Sequence, residues 1–449
     1  MAVYRLIKNA VIVNEGKRFN GSLLIENEYI SKIYPAAHPV SVPEKAEIID
    51  ASGLILIPGV IDDQVHFRDP GLTHKGDIGT ESKAAIAGGV TSFMDMPNTI
   101  PQTITIDLLE QKYAYAALNS SANYSFYLGA TNNNLNEILH VDRETVCGVK
   151  VFMGSSTGNM LVDDASALEQ IFSKSGSLIA VHCEDEATIQ KNIIQFREKY
   201  SENVPVSCHP LIRSGEACYK SSSFAVSLAK KYGTRLHILH LSTAAEMNLM
   251  ENQVPREEKK ITSEVCVHHL WFCDKDYDKL GNLIKWNPAI KTENDRNALL
   301  NGLMTNLIDV VATDHAPHTL EEKNNTYFKS PSGGPLIQHS LMVMLEFYHR
   351  KNMSLEKIVD KMCHAPADIF KIDRRGYIKE GYFADLVLID LNKTYLVTKE
   401  NILYKCGWSP FENQIFGSTI THTFINGEIA YKNGKINEKT KGRRLKFKK

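Results

Sequence analysis

The chain has 449 residues, 43% of them hydrophobic and 23% charged, and a formal net charge of −1. That composition is ordinary for a globular protein, and the charge balance excludes a global field for nucleic acid or an acidic membrane. The length exceeds one simple domain and suffices for a barrel of roughly 250 residues plus a second unit.

Eight cysteines are scattered without CxxC pairs. No N-terminal stretch combines a basic start, an apolar run and a small-residue cleavage site, and no apolar run reaches the ~20 residues of a membrane span. The expectation is a cytoplasmic chain with reduced thiols, most of them core packing.

In chain order, "YRLIKNAVIV" (4–13), "GSLLIENEYISKIYP" (21–35) and "AEIIDAS" (46–52) are β-branched runs separated by Gly and Asn turns, and they predict strands. The far end repeats the pattern with "ADLVLIDL" (384–391) and "HTFINGEIAYKNGKI" (422–436). The Asn-Gly pairs at 426–427 and 433–434 are hairpin signals. Residues 1–52 and 376–449 are therefore expected to form one small β-rich, sandwich-like domain. The basic tail KGRRLKFKK (441–449) reads as a solvated terminus.

Between these ends, residues 53–375 alternate. Apolar runs fall near 56–67, 90–96, 123–129, 146–152, 178–183, 235–241, 261–267 and 307–313. Helix-like stretches such as 106–120 and 222–233 lie between most of them. Eight such runs predict an α/β fold with a (β/α)8 barrel; a doubly wound open sheet is the alternative.

Barrel chemistry sits at the C-terminal strand ends. Here the runs end in Gln64, His66 and Arg68; Asn98; His182; His240; His268 and His269; and Asp314. Lys150 lies inside "VKVF". A lone histidine on a strand is usually core, but several ligand-type side chains at one end of separate strands point to a metal centre of the zinc type. Lys150 needs a partner, exposure or modification, because a buried unpaired ammonium is costly. Side chains alternate along a strand, so Gln64, His66 and Arg68 share one face. A guanidinium there matches a carboxylate in two hydrogen bonds.

The segments "DDQVHFRDPG", "MDMPNT", "VHCED", "HLST" and "ATDHAPHTLEEK" resemble those of class I dihydroorotases in the amidohydrolase superfamily. The resemblance covers roughly residues 50–385 in motif order. It implies an amidohydrolase-type barrel and zinc-dependent, reversible cyclisation of N-carbamoyl-L-aspartate to dihydroorotate in pyrimidine synthesis. It also implies metal ligation by His66, Lys150, His182, His240 and Asp314, with one or two Zn2+ per chain and Lys150 carboxylated by CO2. Gln64 stands where the family carries the first histidine of an H-x-H pair. Asp314 would also shuttle the proton. Arg68, Asn98, Asn287 and His318 would contact substrate, while His269 is assigned to packing. The "NPP" of the family is "NPA" here, and residues 319–337 follow the pattern less well.

Other readings stay open at this point. One is a hydantoinase- or allantoinase-like amidohydrolase, against which Arg68 and "MPNT" speak. Another is a non-catalytic homologue that serves aspartate transcarbamoylase as a structural partner, which Gln64 keeps alive. A barrel with core histidines and no metal is a third. A small-molecule substrate is expected, with a second copy of the chain or an aspartate transcarbamoylase as candidate protein partners.

Overall fold

The computed structural model of the protein describes residues 2–36, 38–154 and 160–448. Both chain ends contribute to one sheet. Among the described residues it holds Tyr4–Asn14, Lys17–Glu26, Tyr29–Pro35, Glu47–Asp50 and Ile55–Pro58 from the first part of the chain. Leu386–Asp390, Thr419–Ile425, Glu428–Lys432 and Lys435–Ile436 come from the last part. The seam is antiparallel pairing of Ile55–Pro58 with Leu386–Asp390. The run at 21–35 is two strands, because Asn27 takes a left-handed backbone (φ 54°) and turns the chain. Asn426-Gly427 and Asn433-Gly434 make the hairpins that their sequences predict. Gly427 is obligatory there: its φ is 81°, and a Cβ would lie 2.0 Å from the Asn27 carbonyl oxygen.

The run at 56–67 divides at Pro58-Gly59. Its first half pairs in the terminal sheet and its second half opens the barrel. The eight barrel strands are Val60–Val65, Val90–Asp95, Asn123–Phe126 continued by Leu128–Gly129, Val149–Phe152, Ile179–His182, Leu236–Ile238, Ile261–Cys266 and Val310–Ala312. All neighbours pair in parallel. The last strand returns to the first through a parallel bridge, Val65 to His315, and the His66 N–H donates to the His315 carbonyl at 2.7 Å. This closure distinguishes the barrel from an open sheet. Helices form the crossovers. Ile106–Asn119 is capped by the Thr105 hydroxyl, and Gly215–Tyr232 runs from a Ser214 cap to left-handed Gly233, the asymmetry that end effects favour.

The floor of the barrel is apolar: Ile61, Met94, Tyr127, Leu178, Leu239 and Val310 pack together, joined by Leu445 and Phe447 from the C-terminal tail. The expectation of a solvated terminus is therefore corrected. The tail is basic, but Leu445 and Phe447 alternate with its charges and bury on one face. Arg444 lies over the Tyr113 ring at 3.5 Å and pairs with Glu110 at 2.7 Å. All eight cysteines are unpaired and seven are buried. Among the described residues, no helix is long and apolar enough to cross a membrane.

Candidate metal centre and substrate pocket

At the C-terminal mouth of the barrel lies a small polar cavity. Its walls include Gln64, His66, Arg68, Asn98, Lys150, His182, His240, Asn287 and Asp314, brought together from seven separate strands and loops. Phe152, Trp286, Ala316, Ser332 and Gly333 complete it. Three of the polar residues, Arg68, His240 and Asp314, hold left-handed backbone at φ 65°, 40° and 49°. Non-glycine residues adopt that region at a cost, and such outliers concentrate at working sites.

His182 and His240 form one half of the centre. His182 Nδ1 and His240 Nε2 stand 3.0 Å apart with the rings nearly perpendicular. His182 Nε2 lies 3.1 Å from Glu184 Oε2, which Arg213 also engages. If Nε2–H donates to Glu184, Nδ1 keeps its lone pair toward His240, the arrangement in which a carboxylate orients a metal-binding imidazole. Burial holds both imidazoles below their usual pKa, His240 strongly so. Neutral rings are what metal ligation requires.

The other half is His66 with Asp314. His66 Nδ1 is 2.7 Å from Asn98 Oδ1, and its Nε2 is 3.1 Å from Asp314 Oδ1. With Nδ1–H donated to Asn98, Nε2 would turn a lone pair on a carboxylate oxygen, a clash that a cation between them relieves. Gln64 points its amide nitrogen at the same Asp314 oxygen, 3.3 Å away, and its Oε1 lies 3.7 Å from Cys266 Sγ.

Lys150 sits between the halves, fully buried, its ammonium 4.5 Å from the Phe152 ring centre. Among the described residues it makes no ion pair. Burial pushes its pKa down to about 7, against the pull of Asp314. The donor set fits a metal: two neutral imidazoles, a third beside a carboxylate, and a lysine that cannot rest here as a plain ammonium.

The substrate side is built on Arg68. Its Nε donates to the Pro317 carbonyl at 3.0 Å, which fixes the guanidinium plane at the cavity wall. Burial lowers its pKa to about 10, which leaves it charged at neutral pH. His318 stands behind Arg68, outside the cavity lining. Its Nε2 is 3.0 Å from both Arg68 Nη2 and the Ser332 carbonyl, and its Nδ1 is 3.0 Å from Lys75 Nζ. Asn287 lines the cavity with a buried Oδ1 that has no partner among the described residues.

His268 and His269 are buried away from the cavity. His268 stacks on Trp286 at 4.5 Å, and His269 Nε2 meets the Pro288 carbonyl at 3.1 Å. They support the Trp286–Asn287 wall, in line with a packing role.

Reasoning from sequence missed Glu184 and Arg213. Glu184 lies two residues past His182 in "VHCED", just beyond the strand end, and the i, i+2 spacing of extended chain was the available signal. It also missed how residues 324–334 reach the pocket. Buried Lys323 donates to the carbonyls of Pro331 and Gly333 at 3.0 and 2.7 Å, and Lys285 donates to those of Tyr327 and Ser330 at 2.6 Å each. These bonds fold the loop over and set Ser332 and Gly333 in the wall.

Comparison with known proteins places the chain in a family. A sequence model of the amidohydrolase family matches residues 55–430. A dihydroorotase of Methanosarcina acetivorans is 32% identical over 96% of this chain and 93% of its own. One of Bacillus pumilus is 31% identical over 96% of this chain and 99% of its own. Among solved structures, an L-hydantoinase (dihydropyrimidinase) of Arthrobacter aurescens superposes with a TM-score of 0.93 at 26% identity, covering 99% of this chain and 100% of that one. With a family match over most of its length and relatives above 30% identity along nearly all of it, the chain belongs to the amidohydrolase family, on its dihydroorotase branch.

Proposed function

We propose that the chain is a dihydroorotase: it interconverts N-carbamoyl-L-aspartate and (S)-dihydroorotate plus water, in the cytoplasmic synthesis of pyrimidines. The observation that carries this reading is Arg68, a buried guanidinium in the same cavity wall as the paired ligand sets and Asn98. Dihydroorotate has a ring carboxylate for that fork to hold, and a simple hydantoin has none. A zinc ion held by His182, His240 and Lys150 would supply Lewis-acid polarisation of the scissile carbonyl and acidify water.

The chain's own residues do the rest. Arg68 and Asn98 fix the substrate carboxylate, so the reacting carbonyl faces the imidazoles. Asn287 Oδ1 accepts from a ring N–H. Asp314 takes a proton from the attacking water and returns it to the departing ring nitrogen. The Gln64 amide donates to Asp314 Oδ1 at 3.3 Å and holds that carboxylate in place. His318 positions Arg68.

Two finer points belong to the same proposal. The Lys150 amine, with its pKa near 7, would add to CO2 and release a proton, which would turn a stranded cation into an anionic carbamate able to serve as a ligand. Gln64 offers its neighbour a hydrogen bond where an imidazole would offer a ligand, so the His66–Asp314 half binds metal more weakly than the His182–His240 half. Anomalous scattering at the zinc edge after mild dialysis tests this; equal, full occupancy of both halves defeats it.

The activity itself is tested with zinc-loaded protein. Cyclisation of carbamoyl-aspartate is expected, with no opening of hydantoin. Opening of hydantoin without cyclisation would move the chain to the hydantoinases, and neither activity would favour the non-catalytic homologue.

A further inference from the structure

Beneath the catalytic mouth, inside the barrel, Asp63, His237 and Glu264 meet from the first, sixth and seventh strands, each with a side chain 0% exposed. Asp62 and Tyr127 are their polar neighbours, the Tyr127 hydroxyl being spent on the Asp63 backbone carbonyl at 2.9 Å. His237 Nε2 is 3.1 Å from Asp63 Oδ2 and 3.5 Å from Glu264 Oε2. Yet both Asp63 oxygens, Glu264 Oε2 and His237 Nε2 lack a hydrogen-bond partner among the described residues. The imidazole nitrogen is close to two oxygens and aimed at neither.

The tautomer explains the conflict. His237 Nδ1 is 2.8 Å from the Thr262 hydroxyl, which itself donates to the Leu236 carbonyl at 3.3 Å. The hydroxyl oxygen therefore accepts Nδ1–H, so in the neutral ring the Nε2 lone pair points between two carboxylate oxygens. Three electron-rich atoms converge, within 4.8 Å of one another. Around a four-coordinate ion at about 2.0–2.2 Å, neighbouring ligands stand roughly 3.3–3.6 Å apart, close to the separations seen. The supports match as well: Thr262 holds the far nitrogen of His237, and Glu264 Oε1 accepts from the His240 N–H at 3.0 Å, as outer partners of metal ligands do.

We infer that Asp63, His237 and Glu264 form a second, structural cation site for a divalent ion of the zinc class, one layer below the catalytic centre. With the ion bound, two carboxylates and a neutral imidazole carry two negative charges, which one divalent ion neutralises; without it, protons take that place. Glu264 couples the ion to His240 through its second oxygen. The inference does not depend on the proposed activity.

The test is zinc content per chain, measured by mass spectrometry on wild-type protein, Asp63→Asn, and the double variant His182→Asn/His240→Asn. Asp63→Asn is expected to lose one equivalent, while the double variant keeps that ion. Anomalous difference density at the zinc edge from wild-type crystals decides directly, even where a variant fails to fold. A peak within about 2.5 Å of Asp63 Oδ2, His237 Nε2 and Glu264 Oε2 supports the site. A featureless map there, or Asp63→Asn with wild-type zinc content, overturns it and leaves protons as the counter-charge.

Discussion

At position 64 an amide stands beside Asp314 and gives it a hydrogen bond at 3.3 Å, whereas the family pattern at that position is an imidazole lone pair. That substitution is what the proposed difference between the two halves rests on, and the residue scale is where their roles are tested. Arg68 is the first test. Arg68→Met removes the guanidinium proposed to hold the substrate carboxylate, and charge-assisted bonds of this kind contribute roughly 1.5–3 kcal/mol. We expect kcat/KM for carbamoyl-aspartate to fall about 100-fold, with bound zinc unchanged by metal analysis. Glu184 is the second. It holds His182 Nε2 at 3.1 Å and pairs with Arg213. Burial alone would raise its pKa, but Arg213 and His182 outweigh this and hold it down at about 2. Glu184→Gln is expected to weaken zinc binding roughly 10–100-fold in competition titrations. It should also cost about 3 kcal/mol of stability at pH 7. The sign follows from the depressed folded pKa. Glu184 stabilises the fold above its unfolded value near 4.5, and that advantage fades as pH falls toward 2. Urea midpoints of variant and wild type should therefore converge on acidification; a gap that stays constant to pH 3 would refute the assignment.

Elements carry information unevenly. The eight barrel strands were legible because each is a short apolar run, and their polar terminal residues were legible because metal-ligand chemistry uses few side-chain types. The terminal hairpins were legible from Asn-Gly. The loop over residues 324–334 was not, for a physical reason: its shape is set by lysine amines bonding to backbone carbonyls, and a carbonyl has no signature in sequence. Lys323 is the centre of that device, fully buried and donating to Pro331, Gly333 and, at 3.3 Å, Lys285. Lys323→Met keeps the length and volume of the side chain but strands those carbonyls. At roughly 1 kcal/mol for each lost bond, the loop should loosen by about 3 kcal/mol. Hydrogen exchange at residues 329–334 should then speed up while the barrel strands keep wild-type protection, and KM should rise more than kcat falls. Gly333 shows the same dependence on backbone: its φ is 125°, and a Cβ would come within 2.6 Å of the Ala316 carbonyl oxygen.

The whole molecule is held shut by its two ends. The terminal sheet joins the first and last parts of the chain through Ile55–Pro58 and Leu386–Asp390, and the final residues then cross beneath the barrel. Charge hid this crossing: six of the nine residues in KGRRLKFKK are lysine or arginine before the apolar pair is weighed against them, a composition that reads as solvent-facing. In the fold, Leu445 N–H donates to the Tyr124 carbonyl and Phe447 N–H to that of Glu144, at 2.9 and 2.8 Å. The two apolar side chains close the floor beside Tyr127 and Phe370. Truncating a buried Leu or Phe to Ala typically costs about 2–5 kcal/mol. Leu445→Ala with Phe447→Ala should therefore lower the urea midpoint substantially, by several kcal/mol in all. The mouth of the barrel lies at the opposite end, so the KM of the folded variant should match the wild-type value. If the tail were solvated, the double variant would unfold with wild-type stability, and the floor contacts would have no energetic meaning.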